Sequence, residues 1–242
     1  MNYEQYLQPI ILFLLLFAGS DDMMAMETDC RIVSDIHQKD AFPLTESPIV
    51  FDRSDSKLVE KTVYMFASDV EAVTGKRPQT SNNMMRGDVV IIGTLGHNRW
   101  IDRLVTDRKL DVSRIQGGWE QFVIQRVNHP MRGVDRALVI AGSDRRGTAY
   151  AAFTISQQMG VSPWTWWADV PVVKHPRWYV TADYTSATPS VKYRGIFIND
   201  EDWGMKPWAS ENYEKELHDI GPKTYAKVCE LILRLGGNML AP

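Results

Sequence analysis

Residues 191–204 read VKYRGIFINDEDWG, an alternating apolar run that passes without a break into three consecutive acids and a tryptophan. With a side-chain period of two, Val191, Tyr193, Gly195, Phe197 and Asn199 share one face, and Lys192, Arg194, Ile196, Ile198 and Asp200 share the other. Asp200, Glu201 and Asp202 therefore sit at the strand's carboxyl end. Residues 221–235 follow with helical spacing and 238–240 can begin a second strand, which is the order of a β/α unit. In (β/α)8 barrels catalytic groups collect at the carboxyl ends of the strands, whereas the plainer reading of an acid run is a solvated loop. One or two strands leave unpaired edges, so the expectation is a barrel that this stretch starts but does not close.

Working back from that strand, the chain predicts a separate α/β domain over 30–165. Residues 49–51 form a short strand, and Asp52 or Ser54 can cap a helix over 55–74. In that helix Leu58, Thr62, Val63, Phe66, Val70 and Val73 recur at helical spacing before Gly75 stops it. Residues 88–93 (DVVIIG) and 136–141 (RALVIA) are continuous apolar runs suited to buried strands, and 121–127 (QFVIQRV) alternates like a strand with one wet face. A short helix fits 97–105, and an amphipathic one fits 146–159, closed by Gly160. Strands interleaved with helices make an α/β layer structure. Residues 166–189 are rich in proline and tryptophan and show no sustained period, which predicts an extended connection leading to the barrel segment 190–242.

The composition narrows the function classes. A net charge of −3 with no lysine or arginine block gives no electrostatic footprint for nucleic acid or for an anionic membrane surface. The two cysteines, Cys30 and Cys229, are far apart and lack metal spacing, so neither a disulfide framework nor a metal site is expected, and Cys229 reads as a buried thiol within its helix. His37, His97, His129, His175 and His218 are scattered without ligand spacing. Residues 10–18 (IILFLLLFA) have the length of an export signal, followed by the small residues Gly19 and Ser20, so 1–20 is read as a signal peptide of a secreted or periplasmic protein. Its leader departs from the usual basic pattern, because residues 1–9 contain Glu4 and no lysine or arginine.

The chemistry then rests on the acidic loop and the aromatic rings. Adjacent carboxylates repel, which raises at least one pKa, and a carboxyl so raised can act as a general acid. Hydrolysis of a glycosidic bond needs two carboxyls across the scissile bond, so one loop is expected to supply part of the pair. Eight tryptophans, among them Trp164, Trp166, Trp167, Trp178, Trp203 and Trp208, supply faces that stack on sugar rings or fill a core. The turn GSDRRG (142–147) matches neither phosphate-binding glycine pattern and reads as a capped strand-to-helix turn. Its Arg145 and Arg146 could still pair with the carboxylate of an acidic sugar, although a surface ion pair is the plainer role for Arg145.

Three long stretches carry a resemblance: GSDRRGTAYAAFTISQQMGVSPWTWWADVPV (142–172), SVKYRGIFINDEDWGMKPWA (190–209) and DIGPKTYAKVCELILRLGGNMLAP (219–242). Through them the chain resembles the N-terminal part of glycoside hydrolase family 115, the xylan α-1,2-glucuronidases. The resemblance implies an N-terminal α/β domain leading into a (β/α)8 barrel, and removal of glucuronic acid or its 4-O-methyl form from glucuronoxylan with inversion and no cofactor. It implies Asn199 and Asp200 as the sugar-facing pair, with Glu201 and Asp202 next, and leaves the general acid to a later barrel strand. With the chemistry above, the candidates are Asp200 and Glu201 as catalytic groups and Asn199, Asp202, Trp203, Arg146 and Trp164 as sugar-binding groups. One departure is NMLAP at 238–242, where the family tends to carry an aromatic run. The implied fragment is expected to be inactive by itself, and the competing readings are a non-catalytic carbohydrate-binding piece or the product of an interrupted gene.

Overall fold

A computed structural model describes residues 30–241, so the export-signal reading of 1–20 lies outside the described residues. Short strands β1 (Val33–Ser34), β2 (Phe42–Pro43) and β3 (Ile49–Val50) lead to helix α1 (Lys57–Thr74), then β4 (Thr80–Ser81) and β5 (Gly87–Thr94). Helix α2 (Arg99–Thr106), strands β6 (Phe122–Asn128) and β7 (Val134–Gly142) and helix α3 (Arg145–Gln158) follow.

Six strands form one sheet in the order β4-β3-β5-β7-β6 and then β9 (Tyr184–Thr185). Strands β3, β4, β5 and β7 are parallel, while β6 runs antiparallel to both of its neighbours. Both faces are covered, which is why β5 and β7 read as unbroken apolar runs. On one face Val90, Ile92, Leu138 and Ile140 meet Val63, Phe66 and Val70 of α1 and Ala151 and Ile155 of α3. On the other, Val89, Ile91 and Val139 meet Ile101 and Leu104 of α2 and the loop residue Ile115. Each such fully buried valine, leucine, isoleucine or phenylalanine contributes about 1.5–3 kcal/mol.

Helix ends follow local chemistry. Gly75 adopts the left-handed conformation that stops α1 (φ 75°), and its N–H donates to the Glu71 carbonyl. The start differs from expectation: the cap is Ser56, whose hydroxyl accepts from Leu58 N–H, rather than Asp52 or Ser54. Asp52 is occupied elsewhere, accepting from the N–H groups of Ser54 and Arg99.

The proline- and tryptophan-rich stretch contains two short strands. Strand β8 (Tyr179–Val180) lies between β1 and β2 in a separate antiparallel sheet, and β9 pairs with β6 at the edge of the main sheet. Trp178 is buried, and its backbone N–H donates to Thr45 Oγ1 at 2.8 Å.

Beyond it, β10 (Gly195–Phe197), helix α4 (Met205–Trp208) with a π-helical turn (Ala209–Tyr213), helix α5 (Pro222–Arg234) and β11 (Met239–Ala241) complete the chain. Strands β10 and β11 are parallel neighbours joined through α5. Ile196 and Ile198 point onto Val228 and Ile232 of α5, and Tyr193 and Phe197 on the alternate face are 66% and 74% exposed. Cys229 is exposed rather than buried, because the buried stripe of α5 runs through Thr224, Val228, Leu231 and Ile232, and position 229 is turned about 100° from it. The architecture is mixed α/β, with the main sheet covered by helices on both faces and a separate β/α unit at 195–241.

Candidate active site

The acidic loop sits where an alternating strand must release its polar residues, directly after β10. Asn199 shapes it: its carbonyl accepts from Met205 N–H at 2.8 Å and its side-chain oxygen from Glu201 N–H at 3.3 Å. Gly204 makes this turn possible, since a Cβ there would lie 2.2 Å from the Asn199 carbonyl oxygen. The loop opens on a cleft of about 460 Å³ lined by Asp200, Glu201, Asp202, Trp203, Lys206 and Ile220.

The three acids differ in their partners. Asp200 accepts a short hydrogen bond from the Tyr225 hydroxyl on α5, and that bond raises the phenol pKa. Asp202 pairs with Lys206 one helical turn ahead at 3.1 Å, and Lys206 also approaches Asp219 at 3.6 Å. The bond to Asp202 and the two negative charges raise the Lys206 pKa. The Glu201 side chain is exposed and lines the cleft. Tyr225, Lys206 and Asp219 were not anticipated. Only the i,i+4 spacing of Asp202 and Lys206 could have been read from the sequence.

Helix α5 is held under this loop by Glu214, which is fully buried. It accepts from the N–H groups of Gly221, Lys223 and Thr224 and from the Thr224 hydroxyl, so the helix start carries its own carboxylate cap. Burial works against the charge, yet these donors outweigh it and hold the Glu214 pKa below the ordinary value.

The predicted sugar-facing residues divide into two groups. Asp200, Glu201, Asp202 and Trp203 share the cleft, with Trp203 78% exposed, while Asn199 is outside its lining and braces the loop from behind through its hydrogen bonds to Glu201 and Met205. Trp164 lies in the turn after α3, 44% exposed and outside that lining. Nearby in sequence, Trp166 and Trp167 join Trp208 and Tyr213 in an aromatic cluster, with Trp208 and Tyr213 stacked 6.1 Å apart. Arg146 is held at another place, by Glu120.

Glu120 has a side chain with no exposure, and Arg146 Nε donates to it at 2.5 Å. The same carboxylate accepts from Arg194, just before β10, and from Asn238 Nδ2, just before β11, at 2.9 Å. Asn238 also accepts from Arg194 N–H, so this one carboxylate ties the amino ends of both parallel strands to α3. Close by, the Tyr150 hydroxyl donates to the Gly237 carbonyl, and burial pushes its pKa up to about 12. A second tie is the two-pronged pair of Arg234 with Asp69, both 7% exposed, which docks α5 on α1. Among the described residues no group of histidine, cysteine or acids has metal-holding geometry, and no helix is long and apolar enough to cross a membrane.

Comparison with known proteins gives a consistent relationship. Residues 186–242 match the family model described as glycosyl hydrolase family 115. Among solved structures, the chain is similar to a family GH115 4-O-methyl-α-glucuronidase, BtGH115A, with specificity for decorated arabinogalactans. The identity is 32% and the TM-score 0.67, over 82% of this chain and 25% of that one. More distant are a Streptomyces plicatus β-hexosaminidase (12% identity, TM-score 0.46, 83% of this chain and 30% of that one) and a GH20 β-N-acetylhexosaminidase from Streptomyces coelicolor A3(2) (13%, 0.43, 73% and 29%). No curated protein sequence matches the chain. The chain spans about a quarter of the length of the glucuronidase, at 25%.

Proposed function

The chain resembles glycoside hydrolase family 115 in sequence over 186–242 and in fold over 82% of its length, and from that premise we propose that it serves an α-glucuronidase. In this reading residues 30–165 form the N-terminal domain, 166–189 the connection, and 190–242 the first β/α unit of the barrel that bears the active site. The substrate is a plant polysaccharide bearing glucuronic acid or its 4-O-methyl form. Glucuronoxylan and a decorated arabinogalactan, the kind named for the similar glucuronidase, are the two candidates. Cleavage proceeds with inversion, Asp200 and Glu201 act at the anomeric centre, and the protein works outside the cytoplasm.

The observation that carries this reading is the placement of Asp200, Glu201 and Trp203 in one cleft at the carboxyl end of β10, with β11 parallel beside it. That is where barrel enzymes place their chemistry. Inversion requires an acid and a water-activating base about 6.5–9.5 Å apart on opposite faces of the sugar. Neighbouring residues of one loop do not span that gap, so the chain alone is proposed to bind without turnover. Incubating it with aldouronic acid oligosaccharides and with glucuronidated arabinogalactan, then measuring released glucuronic acid, tests this. No release is expected, and substantial turnover would contradict the need for a second strand's carboxyl. The exposed rings of Trp203 and Trp164 favour a second reading, polysaccharide binding without cleavage, for which retardation on xylan affinity gels lost in Trp203→Ala is the discriminating result.

A further inference from the structure

The turn GSDRRG has no part in the acidic cleft, yet it lines a second one. Strand order in the main sheet reverses direction between β3 and β5: the chain leaves β3 through α1 to β4 on one side, then returns to β5 on the other. In open α/β sheets the crevice beyond the carboxyl ends of the strands at such a reversal is where ligands bind. Here that crevice is a cleft of about 580 Å³, within the range of small-molecule sites, and its wall includes Ser54, Asp55, His97, Ser143 and Arg145 from the loops after β3, β5 and β7.

The charges in this cleft are unequally engaged. Asp55 is buried and accepts from the N–H groups of Ser56 at 2.7 Å and Thr94 at 2.8 Å. Asp144 accepts from the N–H groups of Glu120, Arg146 and Gly147 at 2.7, 2.9 and 2.9 Å. Both carboxylates are thus used by backbone donors, and Arg146 is used by Glu120. Arg145 is exposed and makes no ion pair or hydrogen bond through its guanidinium among the described residues. The capacity left in the cleft is a planar cation, with His97 and two half-used hydroxyls around it: Ser143, which accepts from Gln121 N–H and can still donate, and Ser54, which donates to the His97 carbonyl and can still accept. A fork of donors beside hydroxyls matches a ligand with one carboxylate and several hydroxyls.

We propose that this cleft is a second carbohydrate site, separate from the acidic loop, that binds a sugar acid with Arg145 gripping the carboxylate. The choice of a sugar acid over another carboxylate rests on the glucuronidase reading, whereas the site itself rests on the sheet reversal and the unengaged guanidinium. Such a site would hold the chain against acidic side groups of the polysaccharide while the acidic loop faces another.

Ligand-detected saturation-transfer NMR titrations of the full chain with D-glucuronate and with D-glucose, and with inorganic phosphate added as a competitor of the glucuronate signal, test it. The expected result is saturable glucuronate binding that is weakened about tenfold or more by Arg145→Gln, from loss of a charged hydrogen-bond pair, and also by Ser54→Tyr, which fills the cleft. In the Asp200→Asn background, which removes a sugar-facing group of the other cleft, the component of binding sensitive to Arg145→Gln and Ser54→Tyr should persist. Binding abolished by Asp200→Asn but indifferent to Arg145→Gln and Ser54→Tyr would place the sugar on the acidic loop, overturning the second site while supporting the glucuronidase reading. No saturable binding, equal binding of glucose, or tighter binding of phosphate than of glucuronate would each overturn the proposal.

Discussion

Glu120→Gln is the most informative single change, because one carboxylate with no exposed side-chain surface joins three parts of the chain. The substitution keeps the size and shape but removes the negative charge facing Arg146 and Arg194. It also turns an acceptor-only group into one whose amide N–H groups confront guanidinium donors. Leaving a buried charge without its partner costs about 3–5 kcal/mol. Arg146 and Arg194 have side chains 39% and 25% exposed, so water recovers part of the loss. A discount of about one third to one half leaves a destabilisation of about 2–3 kcal/mol. For a chain of this size that lowers the melting temperature by about 4–12 °C. Urea unfolding followed by tryptophan fluorescence, at low and at high salt, measures it. The midpoint should fall with little change in slope, and the loss should persist at high salt because the carboxylate is shielded from ions. A loss below about 0.5 kcal/mol, the size of an ordinary surface change, would refute the view that Glu120 fastens the β10–β11 pair to α3.

Three further outcomes follow from the same geometry. Arg234→Ala leaves Asp69 buried without a partner and should cost about 3–4 kcal/mol by chemical denaturation, whereas Arg234→Met combined with Asp69→Leu should recover most of it. Glu214 has a depressed pKa in the folded state, so its stabilisation is complete above the unfolded glutamate value of about 4.3 and is lost as pH falls through the lower folded value. Thermal melts from neutral to acid pH should therefore show a fall below about pH 4 that is shallower in Glu214→Gln. Gly204→Ala drives a Cβ into the Asn199 carbonyl, so it should displace the acidic loop while costing about 1–2 kcal/mol or less in stability. Binding of aldouronic acids by calorimetry, lost in that variant, checks it.

The parts legible in the sequence were those whose signal is local. Val63, Phe66, Val70 and Val73 followed by Gly75 define α1 by period and stop alone, and DVVIIG and RALVIA mark strands buried on both faces. Ile196 and Ile198 face the core while Tyr193 and Phe197 face away, as strict alternation requires. What escaped the sequence depends on distant partners. Strands β8 and β9 are two residues each and exist only through pairing with β1, β2 and β6. Glu120 carries no motif, and its role arises from Arg194 and Asn238, far along the chain. The guanidinium chemistry of Arg146 suits an acidic sugar, but the sequence does not show that Glu120, far from it along the chain, also pairs with it. Tyr225 is an ordinary helix residue until α5 is set beneath Asp200.

The central claim is that the loop after β10 contributes a catalytic carboxylate to an α-glucuronidase. Its most direct test places this chain in a chimera, in exchange for the matching quarter of the similar glucuronidase, and follows glucuronic acid release. The account predicts a working chimera whose kcat falls by about 10²–10⁴-fold in Asp200→Asn or Glu201→Gln, with Trp203→Ala raising KM. Undiminished turnover with both acids replaced, in a chimera that is otherwise active, would contradict it.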